Sequence, residues 1–281
     1  MKWRDRSGSG NVRRSSGGGS GGRVAAGGGI GIILLLIITL LGGGDLGSLF
    51  QNSAVDPGTN QSVEWTAEEE DMADFFSVIL KDTEVVWGDV FKASGRQYVE
   101  PKMVIYSGSI QSACGVAGGS SGPFYCPTDQ TIYMDLTFYK ELRTKYKAPG
   151  DFAMAYVIAH EVGHHIQNLT GILDEMERIR QQVSKTEYNE YSVRLELQAD
   201  YLAGVWANHV QGKGYLEEGD IEEALTAANA IGDDTLQKQS MGYTVPDSFT
   251  HGTSEQRVNW FYKGYKLGDL SGSDTFGTDD L

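Results

Sequence analysis

The stretch Tyr156-Val157-Ile158-Ala159-His160-Glu161-Val162-Gly163-His164-His165 decides how the rest of the chain is read, because it sets two histidines four apart with a glutamate after the first. At 3.6 residues per turn His160 and His164 stand one turn apart on a helix face, so both imidazoles can reach one metal ion. Glu161 is offset from that face, which suits a carboxylate that takes a proton from attacking water while the histidines hold the ion. The preceding run Phe152 to Ala159 is apolar and free of Pro and Gly. It predicts a helix buried along one side, and Asn168-Leu169-Thr170-Gly171 marks its end. Without a further donor the same pattern is two histidines on a helix surface.

A catalytic zinc takes three protein donors and keeps one position open. The candidate third donor is Glu196, in Arg194-Leu195-Glu196-Leu197-Gln198-Ala199-Asp200-Tyr201-Leu202-Ala203-Gly204. Glu196 and Asp200 share a helix face, so Glu196 can coordinate while Asp200 accepts a hydrogen bond from a ligating imidazole. The small residues Ala199, Ala203 and Gly204 let this helix approach the motif helix closely, where Gly163 is also small. Alone, Glu-x-x-x-Asp is a pair of solvated carboxylates; beside His-Glu-x-x-His the ligand reading prevails.

Two readings of His251 stand side by side: a catalytic donor to the oxyanion of a tetrahedral intermediate, or a structural hydrogen bond from a loop. Arg257 is expected to pair with an acid and order that segment. Tyr133 and Tyr243 are weaker oxyanion candidates, and Asp233 and Asp234 read as helix-end caps rather than a cation site. His165 lies one step of about 100 degrees away from the metal face and reads as a supporting or surface residue. His209 reads as structural.

The first fifty residues are made of different material. Residues 1–23 are Gly/Ser-rich with six Lys and Arg, a composition that predicts a disordered basic cytoplasmic leader. Residues 24–44 follow without a charge, and Ile30 to Leu41 is almost wholly aliphatic, which predicts one transmembrane helix. The basic leader places the amino terminus in the cytoplasm and the domain outside it, periplasmic or extracellular, on the cell membrane. No small-residue cleavage site follows, so the anchor reads as uncleaved. Residues 45–63 read as a linker, 64–267 as the catalytic domain and 268–281 as a disordered acidic tail.

Beyond the leader the chain carries 17 Lys and Arg against 37 Asp and Glu, which argues against a nucleic-acid partner. Cys114 and Cys126, an even pair beyond the apolar run, predict a disulfide closing a Gly/Ser/Pro loop. Thr66 with Glu69 predicts a capping box opening a helix to about Phe91. Strands are expected at Met103–Tyr106 and Thr131–Leu136, the latter as an edge that could pair with an extended substrate. Further helices are expected at about Glu187–Val210, Asp220–Ala230 and Ser254–Lys266. The sum is an α+β domain dominated by helix, with a small β-sheet.

His-Glu-x-x-His on one helix with Glu-x-x-x-Asp on a later one resembles the gluzincin branch of zinc peptidases. More narrowly, the chain resembles the bacterial neutral zinc metallopeptidase family, membrane-anchored proteins with a short basic leader. The resemblance rests on Cys114-Gly115, Gly122-Pro123-Phe124-Tyr125-Cys126-Pro127, Tyr133-Met134-Asp135, the motif at His160 to His165, Glu196 to Asp200, Ile231-Gly232-Asp233-Asp234 and His251-Gly252-Thr253-Ser254-Glu255-Gln256-Arg257. It implies a zincin-like fold, Zn2+ on His160, His164 and Glu196, and Glu161 as catalytic base. The expected function is a zinc-dependent peptidase acting on a peptide or protein substrate outside the cytoplasmic membrane. The rival is a non-catalytic, zinc-stabilised scaffolding module of an envelope complex with a membrane partner.

Overall fold

In the computed structural model, which describes residues 1–15, 65–118 and 121–281, Thr66 opens the first helix as expected. Its side chain accepts from the Glu69 backbone and Glu69 returns the bond, so the N-terminal donors of α1 (Ala67–Ala93) are satisfied. Strand β2 (Lys102–Tyr106) follows, then a hairpin of β3 (Ile110–Ser112) and β4 (Gly115–Ala117), then β5 (Phe124–Cys126) and β6 (Thr131–Asp135). Helices α2 (Leu136–Thr144), α3 (Asp151–Leu169), α4 (Ile172–Arg180) and α5 (Lys185–Gly212) come next. The remainder is α6 (Asp220–Ala230), α7 (Asp233–Met241), a 3-10 turn at Pro246–Ser248, and α8 (Ser254–Leu267). The architecture is α+β and helix-dominated, with small sheets, as the sequence indicates.

Helix α3 carries the motif and sits at the centre, packed against α1, α5 and α6. Its residues from Phe152 to Gly163 are all buried, and Phe152 stacks on Trp206 of α5. Gly163 meets Ala199 so closely that an added Cβ would stand 3.0 Å from the Ala199 backbone. This is the close approach expected of small residues. Gly204 serves a different contact: an added Cβ there would lie 2.0 Å from the Phe261 carbonyl oxygen of α8.

The larger sheet has the order β1-β2-β6-β5, in which β1 (Val12–Ser15) and β2, and β2 and β6, run parallel, while β5 runs antiparallel to β6. Tyr125 of β5 stands opposite Ile132, and Ile132 opposite Met103. Strand β6 is therefore interior rather than an edge. The edge beside α3 is β5, a three-residue strand too short to show a period in the sequence. Leu136, expected as the last residue of a strand, instead begins α2, because the Asp135 side chain caps the helix by accepting from Thr137 N at 2.9 Å.

Two segments expected to be disordered are built into the domain. Residues 1–15 pack on α1 and β2: Trp3 meets Phe75 edge to face, and the Met1 ammonium lies 2.8 Å from Asp151 at the start of α3. The carboxyl-terminal residues 268–281 lie along α5, where Arg194 donates to the carbonyls of Thr275 and Thr278, both at 2.6 Å, and Tyr201 donates to that of Asp269 at 2.8 Å. Met1 joins the main core, and Trp3, Val12, Phe276 and Leu281 pack against it. The rest of their order comes from ion pairs and hydrogen bonds supplied by the helices, which composition does not register. Residues 16–64, with the apolar run and the linker, lie outside the described residues. Among the described helices none is long and apolar enough to cross a membrane.

Candidate metal centre

Helix α3 presents His160 and His164 to α5, which presents Glu196 from across the Gly163–Ala199 contact. The Nε2 of His160 is 3.1 Å from one Glu196 carboxylate oxygen and the Nε2 of His164 is 3.5 Å from the other. Donors about 2.0–2.1 Å from a tetrahedral ion stand roughly 3.3 Å apart. One ligand atom from each of His160, His164 and Glu196 lies within 4.8 Å of the others, so the three could converge on a single ion.

What surrounds the donors settles which nitrogens are free for metal. His160 Nδ1 lies 2.8 Å from Asp200 Oδ1, and His164 Nδ1 lies 2.8 Å from Gln167 Oε1. Each acceptor takes the Nδ1–H, so a neutral ring turns its Nε2 lone pair to the centre. Gln167 is in turn held by donating to Leu195 O at 2.7 Å and Gln198 Oε1 at 3.1 Å, both on α5. The sequence reading found Asp200 but not Gln167, although its place three residues after His164 on the same helix face was a usable sign.

Asp200 is the hub of a buried cluster. It accepts from Tyr156 Oη at 2.6 Å, from His160, and from Arg257 through Nε at 2.8 Å and Nη2 at 3.0 Å. Burial raises the cost of its charge, but Arg257 and His160 outweigh that and hold it down at about 2. Arg257 thus pairs with an acid, as expected. Burial works against a proton on His160 as well, yet Asp200 and Glu196 lift it to about 10 in the metal-free chain, and Glu196 lifts His164 in the same direction.

These shifts give a pH prediction. A histidine raised from 6.5 to about 10 stabilises the metal-free fold fully below 6.5 and loses that contribution as pH rises towards 10. Zinc needs the neutral ring, so its binding near neutral pH should release about one to two protons, and its affinity should rise with pH over the same window. Calorimetric titration of zinc in two buffers of different ionisation enthalpy measures this. Zinc uptake with no proton release would contradict it.

Glu161 is buried, and burial raises its carboxyl above the ordinary glutamate value while His164 and His160 pull the other way. It lines a cavity of about 150 Å³ together with His160, His251 and Arg257. The outer wall of that cavity is apolar, built from Pro123, Phe138, Tyr146, Val157, Ile231 and Leu236. The wall is steadied by the disulfide between Cys114 and Cys126, which the structure contains as expected and which ties the β3–β4 hairpin to β5 next to Pro123.

His251 is brought to this cavity by Asp233. One Asp233 oxygen accepts the backbone N–H of Thr250, His251 and Gly252 at 2.7, 2.7 and 3.1 Å, and the other lies 3.6 Å from His251 Nδ1. Asp234 accepts from Ser254 N at 2.8 Å. The two aspartates therefore anchor the loop ahead of α8, a local role close to the capping expected. Tyr133 is excluded from the cavity lining and donates to Asp129 at 2.8 Å, and Tyr243 is 62% exposed. Neither faces the centre. His165 is a buried strut, neither a metal-site partner nor a surface residue: Nε2 donates to Val99 O at 2.7 Å and Nδ1 accepts from Tyr125 Oη at 2.9 Å, tying α3 to β5. Burial lowers it to about 4, so it stays neutral. His209 Nε2 donates to Gly268 O at 3.0 Å, a structural bond. A second acidic group is formed by Asp151, Asp220 and Glu223; the Met1 ammonium pairs with Asp151, Asp220 and Glu217, and Glu223 accepts from Phe152 N at 3.0 Å.

A family model described as "Putative neutral zinc metallopeptidase" matches residues 1–276. The uncharacterized protein YpfJ of Escherichia coli K12 is 53% identical over 209 residues, which cover 74% of this chain and 73% of that one. The uncharacterized protein Rv2575 of Mycobacterium tuberculosis H37Rv is 44% identical over 195 residues, covering 66% and 65%. No solved structure matches.

Proposed function

The chain belongs to the neutral zinc metallopeptidase family, and from that premise we propose that it is a zincin-like, zinc-dependent endopeptidase that cleaves beside a large apolar side chain. The observation that carries the proposal is the continuity of one cavity from His160, Glu161 and His251 to an apolar wall. A purely structural zinc site has no use for a buried carboxylate beside it, nor for a cleft leading to it.

Zn2+ held by His160, His164 and Glu196 would supply Lewis acidity, polarising the scissile carbonyl and acidifying water. The chain's own residues do the rest. Glu161 takes the proton of the attacking water and passes it to the leaving amine. His251, aimed by Asp233, donates to the carbonyl oxygen as it gains charge. The edge strand beside α3, where an extended substrate would pair, is β5, the role first expected of β6. A bulky apolar side chain against Val157, Ile231 and Leu236 would gain about 1.5–3 kcal/mol from burial, which selects the bond. The disulfide supports a site of action outside the cytoplasm.

Digestion of an unbiased peptide library by the zinc-loaded protein tests this. Cleavage should cluster beside Leu, Phe, Met or Tyr and stop on chelation. Narrowing the cavity with Leu236→Trp should lower kcat/KM for the bulkiest side chains by about tenfold or more while sparing smaller ones. Cleavage without side-chain preference would remove the pocket assignment, and no cleavage at all by zinc-loaded protein would remove the peptidase reading.

A further inference from the structure

Residues 1–15 are fitted to the domain by several kinds of contact at once. Strand β1 pairs in parallel register with β2, Val12 opposite Met103 through Ser15 opposite Tyr106. Ser9 N donates to Ser77 O at 2.9 Å, Met103 N to Asn11 O at 3.0 Å, and Lys2 N to Tyr215 O at 2.8 Å. The basic side chains meet an acidic face of α1: Arg4 forms a two-pronged pair with Asp71 at 2.6 and 2.8 Å, Arg6 pairs with Asp82, and Arg14 pairs with Glu70 and Asp74. The Arg6 guanidinium also lies over the Tyr215 ring, 3.8 Å from its centroid. At Gly8 the backbone passes so close to α1 that an added Cβ would stand 2.2 Å from Ser77 Oγ.

We infer that the leader is a permanent strand of this domain and therefore lies on the same side of the membrane as the metal centre. Sequence charge alone put the two on opposite sides of a single crossing by residues 24–44. A crossing of that kind would hold them about 30 Å apart across hydrocarbon. It would strip β2 of its edge partner and leave Asp82 and Glu84, both buried in α1, without Arg6, Ser9 and Asn11. The positive-inside rule, moreover, concerns charges that are free to act at the membrane surface. Arg4, Arg6 and Arg14 are each neutralised by the chain's own carboxylates, so they are poor evidence for a cytoplasmic terminus.

Full-length protein in its native membrane decides the matter. Ser7→Cys and Glu255→Cys each place one thiol at an exposed site, and the native cysteines are joined in the disulfide. With a membrane-impermeant maleimide on intact cells, both positions should label, or both should stay protected until lysis. Labelling of one with protection of the other would overturn the inference. Docking itself is read by hydrogen exchange on the full chain in detergent. Amides of β1 should exchange about as slowly as those of β2, and Arg6→Glu, which sets two carboxylates face to face, should speed them by about tenfold or more with α3 unaffected. Adding Asp82→Arg should restore protection. Exchange of β1 in the wild type at the rate of a free peptide would also overturn the inference.

Discussion

Replacing Glu161 by Gln is expected to lower kcat/KM by about 10²–10⁴-fold while leaving one zinc per chain, measured by peptide hydrolysis and metal analysis on the same preparation. Gln keeps the shape of the side chain and can still accept from the Tyr125 backbone N–H, which lies near the Glu161 carboxylate. It cannot take a proton. His160, His164 and Glu196 are untouched, so metal affinity should hold. The pH profile supplies a second readout. The acid limb of kcat/KM that Glu161 sets in the wild type, where its carboxylate must be free to take a proton, should vanish in the variant. Hydrolysis at the wild-type rate would assign the base to another group.

The parts of the site that could be read from sequence are those fixed by helical periodicity. His160 and His164, and likewise Glu196 and Asp200, are four apart, and a helix converts that spacing into a shared face with no knowledge of the fold. The small residues Gly163 and Ala199 carried the additional message that the two helices touch. Tyr156 has no chemistry on an apolar helix until its partner is known, and Asp200 lies 44 residues away; Gln167 stands three residues from His164, but the groups of α5 that aim it lie 28 and 31 residues away. Strand β5 was too short to register. The leader misled for a related reason: Gly, Ser and Arg cannot form a core, but a segment without its own core can be ordered by another element's charges. Composition describes what a segment can bury, not what will bind it.

Asp200→Asn should be the most destabilising single change near the centre, at about 3–5 kcal/mol, because among the described residues it removes the only carboxylate bonded to a guanidinium that is 2% exposed. Asn has nearly the same volume, so packing is unchanged and the loss isolates the charge. The donors of Tyr156, His160 and Arg257 converge on two oxygens, one of which becomes an amide that repels them. Asp200 sits at about 2 in the fold against 3.8 unfolded, so its contribution is complete above 3.8 and is lost as pH falls through 2. Wild type and variant should therefore converge in stability at strongly acid pH. Zinc affinity should also fall by about 10–100-fold, since a neutral amide oxygen holds the His160 Nδ1–H more weakly than the carboxylate does. The companion change Arg257→Leu separates the two effects: in the double variant the orphaned cation is gone and much of the stability should return, but His160 has only a neutral amide oxygen in place of the carboxylate and zinc affinity should stay low. Chemical denaturation gives the first quantity and competitive chelation the second. A loss of less than about 1 kcal/mol in Asp200→Asn would mean that water, not Asp200, satisfies Arg257. Recovery of zinc affinity in the double variant would mean that Asp200 acts on the metal centre only by holding the fold.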